Sequence, residues 1–182
     1  DELLIRAPAA DCFRIAADVE RWPDILPHYR WVRFRKKTRF GHGSVEMAAW
    51  RDFVGPLRYP TWWLSEMRAD SYEPAVHYRH IDGITRGMIV KWAFQPRGDD
   101  ATLVRITHTW EGPAWPLIGR FAWEHVIGPY FVSAIAQRTL AGVAAKAEEA
   151  AASVARAAEH TRGAVPSAPP MGRGDDRVAE RG

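Results

Sequence analysis

The sequence predicts an α+β fold in which a curved, seven-stranded antiparallel sheet surrounds a long C-terminal helix, with two short helices after the first strand. Three features indicate it: an apolar stripe at helical spacing towards the C-terminus, a central series of strand-like segments joined by short turns, and two proline-bounded helical segments near the start. A long amphipathic helix needs a large apolar partner surface, because helical propensity alone does not stabilise it. The sheet provides that surface, so we expect the two to pack together.

The C-terminal helix is predicted over residues 116–160, with an interruption at Gly128-Pro129, because glycine and proline both disfavour a regular helix interior. From Tyr130 onward its apolar residues recur at helical spacing on one face. They are Phe131, Val132, Ile135, Ala136, Leu140, Val143, Ala144 and Ala147. The stripe weakens after Ala150, so we expect this end of the helix to fray.

The N-terminal part begins with a short apolar run at residues 3–5, which predicts the first strand. Pro8 then opens a segment whose apolar residues, among them Cys12, Ile15 and Val19, lie on one side, as in a short amphipathic helix. A second helical turn is predicted over residues 22–27, because proline is accepted in a first turn and stops what precedes it.

Six further strands are predicted between these helices and the long C-terminal helix. They cover residues 30–40, 44–53, 59–68, 72–82, 86–94 and 102–110. The connections between them are short and turn-like, and several contain glycine or aspartate. Consecutive strands are therefore expected to pair antiparallel.

Composition indicates one domain over residues 1–158 and a disordered tail over residues 159–182, where Gly, Pro, Ser, Ala and charged residues dominate. Hydrophobic residues make up 47% of the chain, which supports a core. No apolar run approaches the roughly 18 residues that predict a membrane span. Cys12 is the only cysteine, which excludes an internal disulfide and fits a reducing compartment, so we expect a cytoplasmic protein.

The formal net charge of +3 is too small to predict a nucleic-acid partner. A basic run at residues 33–39 has two interpretations. It could contact nucleic acid or, transiently, an anionic membrane surface; alternatively, it is a solvated strand whose charge prevents edge-to-edge pairing. We favour the solvated strand.

The element order and three short motifs resemble the START-related SRPBCC superfamily, and within it the polyketide cyclase/dehydrase and coenzyme Q-binding group. The motifs are Ala7-Pro8, Asp18-Val19-Glu20-Arg21-Trp22-Pro23 and Ile135-Ala136-Gln137-Arg138-Thr139-Leu140, and the likeness covers roughly residues 1–150. The resemblance implies a helix-grip fold, in which the sheet holds the long helix and a deep cavity between them takes an apolar ligand.

The resemblance extends in part to the aromatase/cyclases of aromatic polyketide synthesis. Tyr29 matches a tyrosine that these enzymes carry after the Trp-Pro turn, and Met88 and Trp92 match a Met-x-x-x-Trp pair. A Trp-x-Ser-x-Arg run that faces the cavity in those enzymes is matched by Trp63 and Ser65, but Met67 stands in place of the arginine. Arg68 follows at once, yet a shift of one residue points a strand side chain to the opposite face. A second cavity arginine of that branch aligns with His80.

Strand alternation adds further candidates for the cavity wall. Arg86, Met88 and Trp92 share one face of their strand, and His108 and Trp110 share a face of the next. A few polar groups in an apolar pocket is the usual composition of a small-molecule site. The ligand-binding set expected from alternation and resemblance together is Tyr29, Trp63, Ser65, Met67, His80, Arg86, Met88, Trp92, His108, Trp110, Phe131 and Ile135. Each polar member could instead satisfy a buried backbone group.

No metal site or cofactor is expected. His77 and His80 are three residues apart, which places them on opposite faces of a strand, and no spacing of carboxylates and histidines resembles a known ligand set. Proton transfer by His80 or His108 would require an imidazole within reach of the ligand.

Two functions of different classes remain, and we favour the first. The protein carries or sequesters an apolar small molecule such as a lipid, an isoprenoid quinone or a polyketide. Alternatively, it is a polyketide aromatase/cyclase or dehydratase whose catalytic groups would be Tyr29, Ser65, His80 and Arg86. The missing arginine at Met67 argues against the enzyme. A third hypothesis is that the protein is an interaction module that holds no ligand.

Overall fold

The structure is a computed structural model that describes residues 1–52, 58–111 and 132–163. It confirms the predicted fold class: seven antiparallel strands form one open, curved sheet, and a long helix follows them. The strands are β1 (Glu2–Ile5), β2 (Tyr29–Arg39), β3 (His42–Asp52), β4 (Arg58–Asp70), β5 (Ala75–Gly83), β6 (Ile89–Pro96) and β7 (Thr102–Thr109).

Two short helices lie between β1 and β2, as the prolines predicted. Helix α1 (Ala9–Ala17) follows Pro8, and α2 (Trp22–Ile25) carries Pro23 in its first turn. A single 3₁₀ turn over Val19–Arg21 joins them. The long helix α3 (Ser133–Gly163) continues beyond the predicted domain end at residue 158. The predicted helical stretch 116–131, including Phe131, and the tail from residue 164 lie outside the described residues.

The strand order in the sheet is β1-β7-β6-β5-β4-β3-β2, so β1 crosses to the far edge and every later neighbour pair is consecutive in sequence. Such hairpin pairing follows from the short turns, which leave no room for a parallel crossover. One face of the sheet packs on α1, α2 and α3 and carries the core. Along β5 the inward side chains are Val76, Tyr78 and His80, at the period of two that a half-buried strand requires.

The long helix approaches α2 closely at Gly142. A β-carbon at this position would lie 2.1 Å from Cδ2 of Leu26, which is 1% exposed. Glycine therefore sets the distance between the two helices. Leu140, Val143 and Ala147 on the same helix are buried in the core, as the predicted stripe requires.

The main difference from the predicted strands lies between β5 and β6. The strand predicted over residues 86–94 begins only at Ile89, because residues 84–87 form a turn. Arg86 N–H donates to the Gly83 carbonyl at 3.1 Å, and Gly87 has a φ of 90°, a conformation that glycine adopts readily. The alternation of β6 therefore does not extend back to Arg86.

Candidate functional site

The inner face of the sheet, Trp22 of α2 and the helix α3 line a partly open cavity of about 70 Å³. Its wall is mainly aromatic and aliphatic, with a few polar groups. Seven residues of the expected ligand-binding set lie in this wall: Tyr29, Trp63, His80, Met88, Trp92, His108 and Ile135. The fold thus brings together residues from β2, β4, β5, β6, β7 and α3, because inward side chains of neighbouring strands stand side by side.

Aromatic rings form a continuous cluster along one side of the cavity. Trp22 contacts Tyr29 with ring centroids 5.1 Å apart and Trp92 with centroids 5.8 Å apart. Tyr29 in turn contacts Trp63 at 6.1 Å, edge to face. Such pairs fix the orientation of large rings, so this part of the wall presents a defined apolar shape.

His80 lies in the cavity wall with one ring nitrogen already engaged. Its Nδ1 is 2.6 Å from Oγ1 of Thr85, a second wall residue, and its ring stacks on Trp63 with centroids 6.1 Å apart. Burial is the main cause that lowers the pKa of His80 to about 3, and the electrostatic effects of His108 and Arg51 act in the same direction. The imidazole is therefore neutral at physiological pH.

His108 faces the cavity from β7, two strands away from Tyr78 of β5. The pairs Tyr78 with Val90 and Val90 with His108 place the three residues in one row across the sheet. Burial, then the N-terminal ammonium and Arg51, lower the pKa of His108 to about 4. Both cavity histidines are thus uncharged hydrogen-bonding groups at neutral pH.

Tyr29 lies in the cavity wall, and a hydrogen bond links it to Thr139 of α3. Burial raises the pKa of its phenol to about 12, although a hydrogen bond with Thr139 and the charge of Arg51 oppose the rise. Thr139 lies in the wall on α3, and its Oγ1 is 3.0 Å from Nε2 of His28. The phenol is protonated at neutral pH, so it can donate a hydrogen bond.

Arg51 is a cavity residue that the sequence analysis missed. It is 8% exposed on β3, its Nε donates to Oγ1 of Thr61 at 3.3 Å, and its Cζ lies 5.9 Å from the ring centroid of Trp63. Burial lowers its pKa to about 10, which leaves the guanidinium charged at neutral pH. Alternation along β3 could have found it, because Val45, Met47, Ala49 and Arg51 all point inward.

The prediction from sequence also missed Tyr78, whose hydroxyl group is the most informative polar group of the site. Its side chain is 5% exposed and lies in the cavity wall, and its hydroxyl has no hydrogen-bond partner among the described residues. Burial raises its pKa well above the ordinary value, so the hydroxyl keeps its proton. The same inward parity as His80 could have revealed Tyr78 from the sequence.

Four expected residues within the described part of the chain lie outside the cavity wall, and a fifth, Phe131, lies outside the described residues. Ser65 and Met67 point inward on β4 and are buried, but neither lines the cavity. The Ser65 hydroxyl also has no partner among the described residues. Arg86 is exposed in the β5–β6 turn, and its carbonyl accepts a hydrogen bond from Nε1 of Trp110 at 2.9 Å.

Within residues 1–52, 58–111 and 132–163, no group of three or more histidine, cysteine, aspartate or glutamate residues could hold a metal ion. In a separate respect, none of the described helices is long and apolar enough to cross a membrane. The tyrosine, histidine, threonine and arginine side chains of the cavity wall are Tyr29, Tyr78, His80, His108, Thr85, Thr139 and Arg51. They can donate to or accept from an oxygen-bearing ligand.

A seven-stranded antiparallel sheet curved around a long C-terminal helix, with an aromatic cavity between them, defines the helix-grip class of ligand-binding protein, the SRPBCC or START-like superfamily. The sequence matches the family described as "Polyketide cyclase / dehydrase and lipid transport" over residues 5–126. The chain belongs to that family, which confirms the resemblance inferred from its motifs. No curated protein sequence matches this chain significantly.

Solved structures of the same fold include proteins of different activity. Zhui aromatase/cyclase from Streptomyces is 21% identical, with a TM-score of 0.67 over 81% of this chain and 91% of that chain. A START superfamily protein from Mycobacterium smegmatis is 13% identical, with a TM-score of 0.63 over 82% and 95%. Norcoclaurine synthase from Thalictrum flavum, in complex with a transition state analogue, is 13% identical, with a TM-score of 0.61 over 82% and 92%. These similarities establish the fold.

Proposed function

We propose that this protein binds, and so carries or sequesters, an apolar small molecule that presents one oxygen acceptor to the Tyr78 hydroxyl in the cavity wall. The observation that carries this proposal is the buried Tyr78 hydroxyl, which has no partner among the described residues. Leaving such a donor unpaired costs about 1–3 kcal/mol. A carbonyl or hydroxyl oxygen of a ligand would satisfy it, while the surrounding wall takes the apolar body. A lipid, an isoprenoid quinone and a polyketide all have this chemistry.

Ligand entry requires the wall to adjust. A cavity of about 70 Å³ is smaller than the roughly 150 Å³ that accommodates benzene in an engineered protein core. Met47 and Met88 lie in the wall, and methionine side chains adapt readily because they are unbranched and have three rotatable bonds. We expect binding to displace these two side chains before the aromatic cluster moves.

The alternative function is a polyketide aromatase/cyclase or dehydratase, and Arg51 is the observation that favours it. A buried guanidinium next to Tyr29 could stabilise a developing enolate in place of the arginine that is absent at Met67. Two observations argue against this enzyme. The proposed catalytic set is not assembled, because Ser65 is outside the cavity wall and Arg86 is exposed. An imidazole with a pKa of about 3, such as His80, is also a weak general base at neutral pH.

The first experiment is native mass spectrometry of the protein purified from its host, followed by denaturing extraction to identify any bound molecule. A single apolar species that carries an oxygen, at near-equimolar occupancy, would support the carrier. An empty protein that also binds no member of a lipid, quinone and polyketide panel would overturn it. Turnover of a model poly-ketone that depends on Tyr29 and Arg51 would instead establish the enzyme.

The second experiment isolates the Tyr78 hydroxyl. Tyr78→Phe should weaken binding of an oxygen-bearing ligand about tenfold, since one hydrogen bond contributes roughly 1 kcal/mol or more. Binding of a hydrocarbon analogue without the oxygen should not change. Tyr72→Phe is the matched control, because it removes the same atom from a side chain that is 98% exposed. Equal weakening for both ligands would show that Tyr78 contributes shape and no hydrogen bond.

A further inference from the structure

Two hairpin tips at one end of the sheet are locked into a single surface. The β2–β3 tip meets the β4–β5 tip where Ala69 N–H donates to the Gly41 carbonyl at 3.0 Å. Nε2 of His42 also lies 2.6 Å from the Ala69 carbonyl. Gly41 has a φ of 66°, and a β-carbon there would lie 2.5 Å from Cβ of Ala69, so the tips touch without space between them. Side chains on the two tips therefore keep a fixed mutual position.

Each tip presents an aromatic ring to solvent. Phe40 is 51% exposed and Tyr72 is 98% exposed. The backbone around Tyr72 is ordered by Asp70, whose Oδ1 accepts from the Tyr72 N–H at 3.0 Å and from the Glu73 N–H at 3.4 Å. Such an aspartate-capped turn holds the ring outward instead of letting it fold back on the protein. Two exposed rings on a rigid surface are an unfavourable arrangement in water alone.

Between the rings lies a cleft of about 390 Å³, in the size range of small-ligand sites. Its wall includes Phe13 and Ala69, and the side chains of Arg39, His42 and Arg68 also line it. This cleft is separate from the cavity of the candidate site, since the two have no wall residue in common. It combines apolar surface with the guanidinium groups of Arg39 and Arg68, and the Asp70 carboxylate also lines it.

The charges around the cleft are partly compensated. Lys37 pairs with Glu20, and Arg68 has a carboxylate oxygen of Asp70 at 4.0 Å. Lys36 and Arg39, both exposed, form no ion pair within the described part of the chain. The basic run at residues 33–39 therefore has two parts with different surroundings. Arg33 and Arg35 are engaged by Glu46 on the sheet face, whereas Arg39 at the C-terminal end of the run lines the cleft without an ion pair among the described residues.

We infer that this hairpin-tip surface, formed by Arg39, Phe40, Arg68 and Tyr72, docks on an anionic phospholipid bilayer. Aromatic rings flanked by lysine and arginine are the groups that bind at the headgroup level of a membrane, where the rings bury apolar area and the cations meet lipid phosphates. A protein partner fits less well, because two narrow tips offer little of the roughly 800 Å² that a stable interface buries on each side. The inference stands independently of what the inner cavity binds.

Vesicle flotation tests the inference with the full chain. The protein should float with vesicles of phosphatidylcholine mixed with phosphatidylglycerol, and much less with phosphatidylcholine alone. Phe40→Ser combined with Tyr72→Ser should lower the partition coefficient roughly tenfold, through lost apolar burial. Arg39→Gln should lower it about fivefold at low salt. The matched control is Ile84→Ser with Ile89→Ser, which removes two exposed apolar side chains, 43% and 50% exposed, at the β5–β6 turn.

A site-specific label tests the location. Cys12 is fully buried and its pKa is raised by burial, so a cysteine introduced by Tyr72→Cys is the reactive thiol of the native protein. An environment-sensitive dye at that position should shift to the blue with anionic vesicles, and a dye introduced by Thr107→Cys on the outer face of β7 should not. Failure of the native protein to bind anionic vesicles, equal loss in the control variant, or an unshifted dye at position 72 would each overturn the inference.

Discussion

The Nδ1 atom of His80 and the Oγ1 atom of Thr85 lie 2.6 Å apart across the β5–β6 turn, and both residues line the cavity. This contact helps to orient the imidazole, which stacks on Trp63 with an angle of 18° between the ring planes. It also joins the end of β5 to a segment that is otherwise exposed on both sides of Thr85. The turn thus contributes a wall residue to the cavity.

Removing this hydrogen bond should destabilise the protein measurably. Thr85→Val keeps the shape of the side chain but leaves Nδ1 of His80 unpaired in a buried position. We expect the free energy of unfolding in urea to fall by about 1–2 kcal/mol. Thr107→Val, at an exposed position of β7, is the control and should change it by less than about 0.5 kcal/mol. A neutral Thr85→Val would show that the imidazole has another partner.

Tyr78→Phe should stabilise the ligand-free protein, although it weakens binding of an oxygen-bearing ligand. The buried hydroxyl is unpaired among the described residues, so its removal should raise the free energy of unfolding of the ligand-free protein by roughly 1 kcal/mol. Chemical denaturation of the delipidated protein measures this. Destabilisation by Tyr78→Phe would mean that the hydroxyl is satisfied within the protein, and the ligand proposal would lose its main support.

Acidification should destabilise the fold before any carboxylate titrates. In the unfolded chain the imidazoles of His80 and His108 have pKa values near 6.5, whereas in the native state these fall to about 3 and about 4. Below pH 6.5 the unfolded state therefore binds protons that the native state does not, and stability falls as pH falls. The slope is at most about 1.4 kcal/mol per pH unit for each histidine.

Denaturation curves between pH 7 and pH 5 measure this slope, because Glu46, with an unfolded pKa near 4.5, loses stability only at lower pH. Combining His80→Gln and His108→Gln should remove most of the slope. Among the described residues, His77, whose pKa is also lowered, chiefly by burial, should contribute to the remaining slope. An unchanged slope in the double variant would show that the two imidazoles titrate in the native state as they do in the unfolded chain.

Glu46 should be the most important carboxylate of the sheet surface. It is 3% exposed and accepts hydrogen bonds from Arg33 at 2.9 Å, Arg35 at 2.7 Å and the Trp62 indole at 2.9 Å. These donors, Arg35 first, lower its pKa to about 2 against the opposing effect of burial. Glu46→Gln should lower the free energy of unfolding by about 1–3 kcal/mol.

The control for Glu46 is Glu66→Gln. Glu66 pairs with Arg79 through side chains that are 51% and 64% exposed, and an exposed pair contributes at most about 1 kcal/mol. Equal effects of the two substitutions in urea denaturation would contradict the role assigned to Glu46.

The close contact between α3 and α2 predicts a non-additive pair of substitutions. Gly142→Ala should destabilise the protein by about 1–3 kcal/mol, because the added methyl group overlaps the buried Leu26 side chain. Leu26→Ala removes the obstacle, so in that background Gly142→Ala should be neutral or should stabilise by up to about 1 kcal/mol through helical propensity. Additive effects in a double-mutant cycle would show that the helices move apart instead.

Much of the fold and part of the site could be predicted from the sequence, because both depend on local periodicity. The stripe that ends in Ala147 predicted the long helix, and alternation placed Met88 and Trp92 on the cavity face. A period of two or of 3.6 is a property of a single segment, so it needs no knowledge of neighbours. The same rule could have identified Arg51 and Tyr78.

Other features were decided only by tertiary structure, because they depend on contacts between segments that are distant in sequence. Arg86 shares the parity of Met88, but a turn closed by Gly87 breaks the alternation and leaves the arginine in solvent. Ser65 is buried on the inward face, yet it does not line the cavity. The contact of Gly41 with Ala69, which joins two hairpins, likewise follows from how the sheet curves. The local sequence pattern predicts which face of a strand a side chain occupies, whereas tertiary packing decides whether a residue at that position lines the cavity, lies in the core or is exposed to solvent.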